Sequence, residues 1–186
     1  MSKMNQAKTT RQGIFLQRLA CAKDRFLNSI AGLDPAALCT EYVIGAWTVK
    51  DILGHIVSWN REFRADIKAI LDGKHPGYER CITGDDDFSQ WNQHWIALKR
   101  NWTWRRMLAD FDRDYQEAIQ LIMRLEPQEF RKRGVTPWKR AAVERPAMPT
   151  TADTDSVETL ISFHWRHINQ HVRMIEKWRK HRARDY

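Results

Sequence analysis

Apolar positions recur at intervals of three and four residues in four long stretches of this chain, the rhythm of amphipathic helices. Between about Thr10 and Leu33, the residues Phe15, Leu19, Ala22, Phe26 and Ile30 fall on one face. Asp34-Pro35 then opens a turn or a short helix. Thr48 begins a second stretch, in which Ile52, Ile56, Trp59, Phe63, Ile67 and Ile70 mark the inward side. Thr48 followed by Asp51 resembles a capping box, and the breakers Gly73-Lys74-His75-Pro76-Gly77 place the end near Gly73. The third stretch is interrupted. Phe88 to Arg100 reads as helical, Thr103 marks a new start, and Met107, Phe111, Tyr115, Ile119 and Ile122 carry the pattern to Leu125. Ser156 caps the fourth, with Leu160, Phe163, His167 and Met174 inward. Strand-like alternation is absent, so the expected fold is all-α, an antiparallel four-helix bundle.

At 186 residues the chain is expected to form one domain over 1–186, long enough to bury a full core. Nine tryptophans supply much of that core and of any pocket wall. No apolar run reaches the length of a membrane span, and Met1 to Lys8 lack the apolar segment of a signal peptide, which makes a cytoplasmic location the default. Cys21, Cys39 and Cys81 are odd in number and widely spaced, as reduced thiols are. The net charge of +8 raises the question of nucleic acid. Lys177, Arg179, Lys180, Arg182 and Arg184 crowd the tail over about 177–186, where basic residues complement a helix dipole without any partner. No recognition motif accompanies them, so a solvated tail is expected, with at most a salt-sensitive attraction to phosphate.

Candidate chemistry centres on histidine. His167 and His171 stand four residues apart, and His164 lies one turn earlier on the same stripe. Imidazoles at that spacing offer two ligands to one metal ion, although histidines on a helix are also ordinary boundary residues. His55, beside the core stripe of the second helix, supplies a third imidazole from a facing helix, as bundle cores do when they build metal sites. Three neutral imidazoles leave a coordination position open, and they suit zinc, nickel, iron or copper alike. Glu62, two turns after His55, is placed to act as a general base, with an exposed carboxylate paired to arginine as the plainer reading. His164 is either an outer-shell group or proton shuttle, or a surface histidine. Trp59 is a candidate pocket wall residue.

The block Trp47-Thr48-Val49-Lys50-Asp51, with His55 four residues on, resembles the second-helix signature of DinB/YfiT-like four-helix-bundle proteins. His167-x-x-x-His171 followed by Val172 resembles their fourth-helix signature. Asp87-Phe88-Ser89-Gln90-Trp91-Asn92 and Ile175-Glu176-Lys177-Trp178 are similar to the ClbS/DfsB-like branch. The resemblance implies a divalent ion on His55, His167 and His171, and a range of activities that includes hydrolysis, thiol transfer and the opening of a strained ring in a toxic metabolite. It also implies homodimerisation through helix faces, for which the sequence shows no exposed stripe.

Two loops frame the expected site. Glu126 to Asp155 holds Pro127, Gly134, Pro137, Pro146 and Pro149, and Gly73 to Asp87 is similar but shorter. Connections of that length are functional or disordered, so each is either a pocket rim or an irregular crossover, and Trp138 is the residue expected to dip back toward the site. The leading expectation is a metal-dependent hydrolase or thiol transferase acting on an electrophilic small molecule. A non-catalytic protein that sequesters a small molecule is the alternative, and nucleic-acid association through the tail is a weaker third.

Overall fold

The computed structural model describes residues 10–74, 85–135 and 154–183. Six α-helices carry it: α1 (Arg11–Ile30), α2 (Pro35–Thr40), α3 (Val49–Leu71), α4 (Asp85–Lys99), α5 (Trp104–Arg124) and α6 (Val157–Arg182). The starts follow from side-chain caps. Thr10, Asp34, Thr48, Thr103 and Ser156 each accept a backbone N–H that the first turn would leave unpaired. At Thr48 the arrangement is reciprocal, because Asp51 reaches back to the Thr48 amide.

The four long helices α1, α3, α5 and α6 close a four-helix bundle around Phe26, Phe111, Ile52, Ile56, Leu160 and Ile168, all fully buried. Antiparallel pairing holds for α3 with α6 and for α1 with α5. In the first pair Phe63 stacks on Phe163 while His55 meets His167, and in the second Gln12 donates to the Ile122 carbonyl while Lys23 pairs with Asp112. The neighbours α1 and α6 run in one direction, from the Arg11–Glu158 pair at one end to Arg179 on the Ser29 carbonyl at the other. So do α3 and α5, where Arg61 meets Asp110 and Arg64 meets Asp114. Two successive helices can run in parallel only with a long crossover between them, and α4 lies in that crossover, packed against α3.

Two small antiparallel pairs depart from the expectation of no strands. β1 (Tyr42–Ile44) pairs with β2 (Trp47–Thr48) just before α3, through a turn in which Gly45 holds φ +53°. β3 (Arg133–Gly134), after a 3₁₀ turn at Glu129–Arg131, pairs with β4 (Asp155–Ser156) at the start of α6. Strands of two or three residues carry no readable alternation. The second pair ties both ends of the long 126–155 loop to the bundle. Trp138, Cys81 and the middle of both loops lie outside the described residues.

As far as Ala183, where the described residues end, the basic tail is helical, with Lys177 and Lys180 exposed and Arg179 and Arg182 engaged. α6 continues to Arg182, Trp178 packs against the core, Arg179 donates to the Ser29 carbonyl and Arg182 pairs with Glu41. Aromatic and guanidinium groups at its last turns cover the ends of α1 and α2, which the charge count could not reveal. No helix among the described residues is long and apolar enough to cross a membrane.

Candidate metal centre

The capping box fixes where α3 begins, and thereby which way His55 points, two turns in. The α6 helix brings His167 and His171 to the same level on consecutive turns. The His167 Nε2 lies 2.9 Å from the His55 Nε2 and 3.0 Å from the His171 Nε2. One ring nitrogen from each residue falls within 4.8 Å of the others, and this is the group of potential ligands the fold gathers among the described residues. Ligands on a tetrahedral ion with bonds of about 2.0–2.1 Å stand about 3.3 Å apart. Two of the three separations are thus close to ligand spacing, and the third lies within 4.8 Å.

Burial decides their protonation. It is the first cause that holds His55 down at about 3, followed by the His171 charge, with Lys99 adding to the fall and Asn92 opposing it. Burial alone brings His171 to about 4. His167 is held well below its usual range by burial and then by His171, His55 and His164. All three rings are neutral at physiological pH, the form that ligates metal.

The polar bookkeeping of the rings fits a cation. A neutral imidazole carries a single N–H. The Nδ1 atoms of His55, His167 and His171 are all buried without a hydrogen-bond partner among the described residues. If the protons sit on Nδ1, three lone pairs converge on one point, and a cation there satisfies all three. If they sit on Nε2, at most part of the cluster can pair. The donor set and its geometry therefore suit a divalent ion bound through Nε2.

Aromatic side chains enclose this centre. The β1–β2 turn lays Trp47 against His55, with ring centroids 4.9 Å apart. Trp59 sits 6.4 Å from both His55 and His167, and its indole N–H donates to Asn92 Oδ1 of α4 at 2.8 Å. Phe63 continues the wall, 6.2 Å from His167, and Trp91 lies tilted against Trp59 with ring centroids 4.5 Å apart. Trp47, Trp91 and Asn92 stand in motifs whose sequence pattern does not place them at the site; which face of α4 meets α3 is a tertiary fact.

His164 does not lie on the surface. It is buried, and it stands outside the three converging nitrogens. With Arg64, Leu19, Ala118 and Ile161 it lines a cavity of only about 10 Å³, and burial followed by the Arg64 charge lowers it to about 3. Glu62 is half-buried on the stripe His55–Trp59–Glu62–Asp66, outside the histidine cluster. A group not foreseen is Lys99, only 3% exposed, whose Nζ donates to the Gly54 carbonyl at 2.8 Å and to Ser58 Oγ. It pins α4 to α3 directly beside His55. Burial and then Arg61 push it down to about 8, against the pull of Asp114.

The family model of the DinB superfamily matches residues 18–175. An uncharacterised protein from Clostridium difficile 630 is similar in structure, with a TM-score of 0.71 and 10% identity over 91% of this chain and 95% of that one. The colibactin self-resistance protein ClbS, solved in complex with a dsDNA, aligns with a TM-score of 0.68 and 10% identity over 91% and 95%. DfsB, described as a sibling lethal factor precursor, aligns with a TM-score of 0.69 and 16% identity over 93% and 97%. At these identities the likeness is one of fold. No curated protein matches the sequence.

Proposed function

The chain belongs to the DinB superfamily, and from that premise we propose that it is a divalent-metal-dependent enzyme, a hydrolase or thiol S-transferase, acting on an electrophilic small molecule. The observation that carries this reading is the convergence of three neutral imidazole nitrogens from α3 and α6 inside an aromatic wall. His55, His167 and His171 would hold the ion. A bound ion of this kind lowers the pKa of water toward neutrality or holds a thiolate for transfer.

The chain's own groups supply the rest. Trp47, Trp59 and Phe63 exclude water and face the apolar part of a substrate. Asn92 holds the Trp59 indole in place. Glu62, on the same stripe of α3 as His55, is the candidate to accept a proton from the attacking group. His164 supports the Phe63 ring from behind, 6.4 Å away, as a positioning residue. The fold is shared with a self-resistance protein, which favours a role in disarming a reactive metabolite. Duplex DNA, present in that ClbS structure, is the less favoured ligand here, because Arg179 and Arg182 are engaged within the molecule.

Elemental analysis of untagged protein beside His55→Ala and His171→Ala tests the proposal, with circular dichroism as the folding control. Near-stoichiometric metal in the wild type and its loss from both folded variants is the expected result. A wild type that takes up no zinc, nickel or iron would overturn it and leave a non-catalytic, sequestering protein as the better reading.

A further inference from the structure

The helices of this fold send apolar side chains into one common core, and α4 departs from the rule. No described side chain of α4 belongs to that core. From Ser89 to Lys99 only Ile96 and Lys99 are buried, and Leu98 is exposed. Among the described residues its substantial packing is against α3 alone. What holds α4 there is polar and aromatic. Asn92 accepts the Trp59 indole N–H, Trp91 lies against the Trp59 ring, and Lys99 donates to the Gly54 carbonyl and to Ser58 Oγ. Polar contacts exchange for water at small net cost, which a buried apolar face cannot do. A helix attached in this way comes free well before the bundle beneath it opens.

What α4 covers is the histidine centre. His55 is 5% exposed and His171 6%. Asn92 and Trp91 lie on Trp59, the ring 6.4 Å from both His55 and His167, and Asn92 is within hydrogen-bonding reach of His55 itself. Lys99 is fixed on the same turn of α3, because Gly54 precedes His55 and Ser58 follows it by three residues. An ammonium group is almost never buried unless paired. Here its acceptors are a carbonyl and a hydroxyl, with the Trp95 and Trp102 rings 5.6 and 5.9 Å from Nζ. Directly beyond Lys99 the chain turns into α5, and Lys50 holds that turn by donating to the Arg100 carbonyl at 2.7 Å. One end of α4 is therefore fixed, and Lys99 is the first group whose release lets the rest swing.

We infer that Lys99 is a positioning residue that seats α4 as a movable cover over the histidine centre, so that small molecules reach the three imidazoles by displacing α4. This deepens the metal-dependent reading and rests on it for what passes the cover; the seat itself needs no metal. Lys99→Met is the discriminating change. It keeps an unbranched side chain of similar length and removes the ammonium. It also leaves no orphan on α3, since Ser58 Oγ already donates to the Gly54 carbonyl at 3.0 Å.

Three measurements on the full chain test the assignment: hydrogen exchange resolved by peptide, carbethoxylation of histidines by diethyl pyrocarbonate in metal-free protein, and zinc affinity at equilibrium. In the wild type the amides of α4 should exchange faster than those of the His55 turn of α3. Lys99→Met should speed both α4 exchange and modification of His55 and His171 by roughly tenfold, the effect of losing one charge-assisted hydrogen bond. Exposed His181 should react as before, and zinc affinity should stay within about threefold. Wild-type α4 amides as slow as those of α3 would overturn the inference, and so would α4 exchange or histidine modification unmoved by Lys99→Met. A fall in zinc affinity with the modification rate unchanged would overturn it as well, since that is the signature of a role in ligand geometry. Protein that takes up no zinc would count against the metal proposal alone, because exchange and modification are read without it.

Discussion

Single residues here carry opposite pH signatures, and the signs follow from the direction of each shift. His55, His164 and His171 are held at about 3, 3 and 4, below the usual 6.5, so the folded protein binds fewer protons than the unfolded chain. Their contribution to stability is complete above about pH 6.5 and is lost as the pH falls through 4 and 3. Asp66 is raised from 3.8 to about 8, so its contribution is complete below 3.8 and is lost as the pH rises through 8. Thermal unfolding of chelator-treated protein should therefore show a falling Tm from pH 6.5 downward. The Tm difference of Asp66→Asn over wild type should grow from pH 4 to pH 8 and then level off; a constant difference would refute the buried, protonated Asp66. The three converging histidines were legible because helical spacing of a rare residue type survives in one dimension. Asp66 and Lys99 were not, since a polar residue in an amphipathic helix reads as solvated until the helices that cover it are in place.

Elements were legible where local chemistry sets them. The caps at Thr48, Thr103 and Ser156, the break before Thr103 and the end of α3 beside Gly73 all stand where the pattern put them. Thr48→Ala removes the reciprocal cap two turns before His55 and should cost about 1 kcal/mol, measured by urea unfolding. Strand pairs escaped notice because their partners are distant: Arg133 faces Ser156 and Gly134 faces Asp155. Gly134 has a steric reason to be glycine, as a Cβ there would lie 2.6 Å from Ile70 Cγ1 at the end of α3. Gly134→Ala should destabilise the protein by about 1–3 kcal/mol. An unchanged unfolding midpoint would show that β3 is not packed against the end of α3.

On the scale of the whole molecule, the bundle was readable from periodicity, and the relative directions of neighbouring helices were not. Helix direction depends on which faces meet across the crossover through α4, information held in no single stretch. The same holds for the basic end of α6, whose charge count suggested a free tail while its contacts secure α1 and α2. A chain ending at Lys177 loses Trp178, Arg179 and Arg182, and its Tm should fall by about 2–4 °C for each kcal/mol removed. An unaltered Tm would restore the picture of a loose tail.

The histidines that meet at one point come from positions 112 residues apart in the chain. In the unfolded chain His55 has no fixed relation to α6, so the complete ligand set exists only once the longest loop has closed. An ion that needs all three rings would then act as a latch across the fold: it would report on complete assembly, slow unfolding rather than speed folding, and raise Tm with the logarithm of its concentration. The centre would be chemistry and fastening at once.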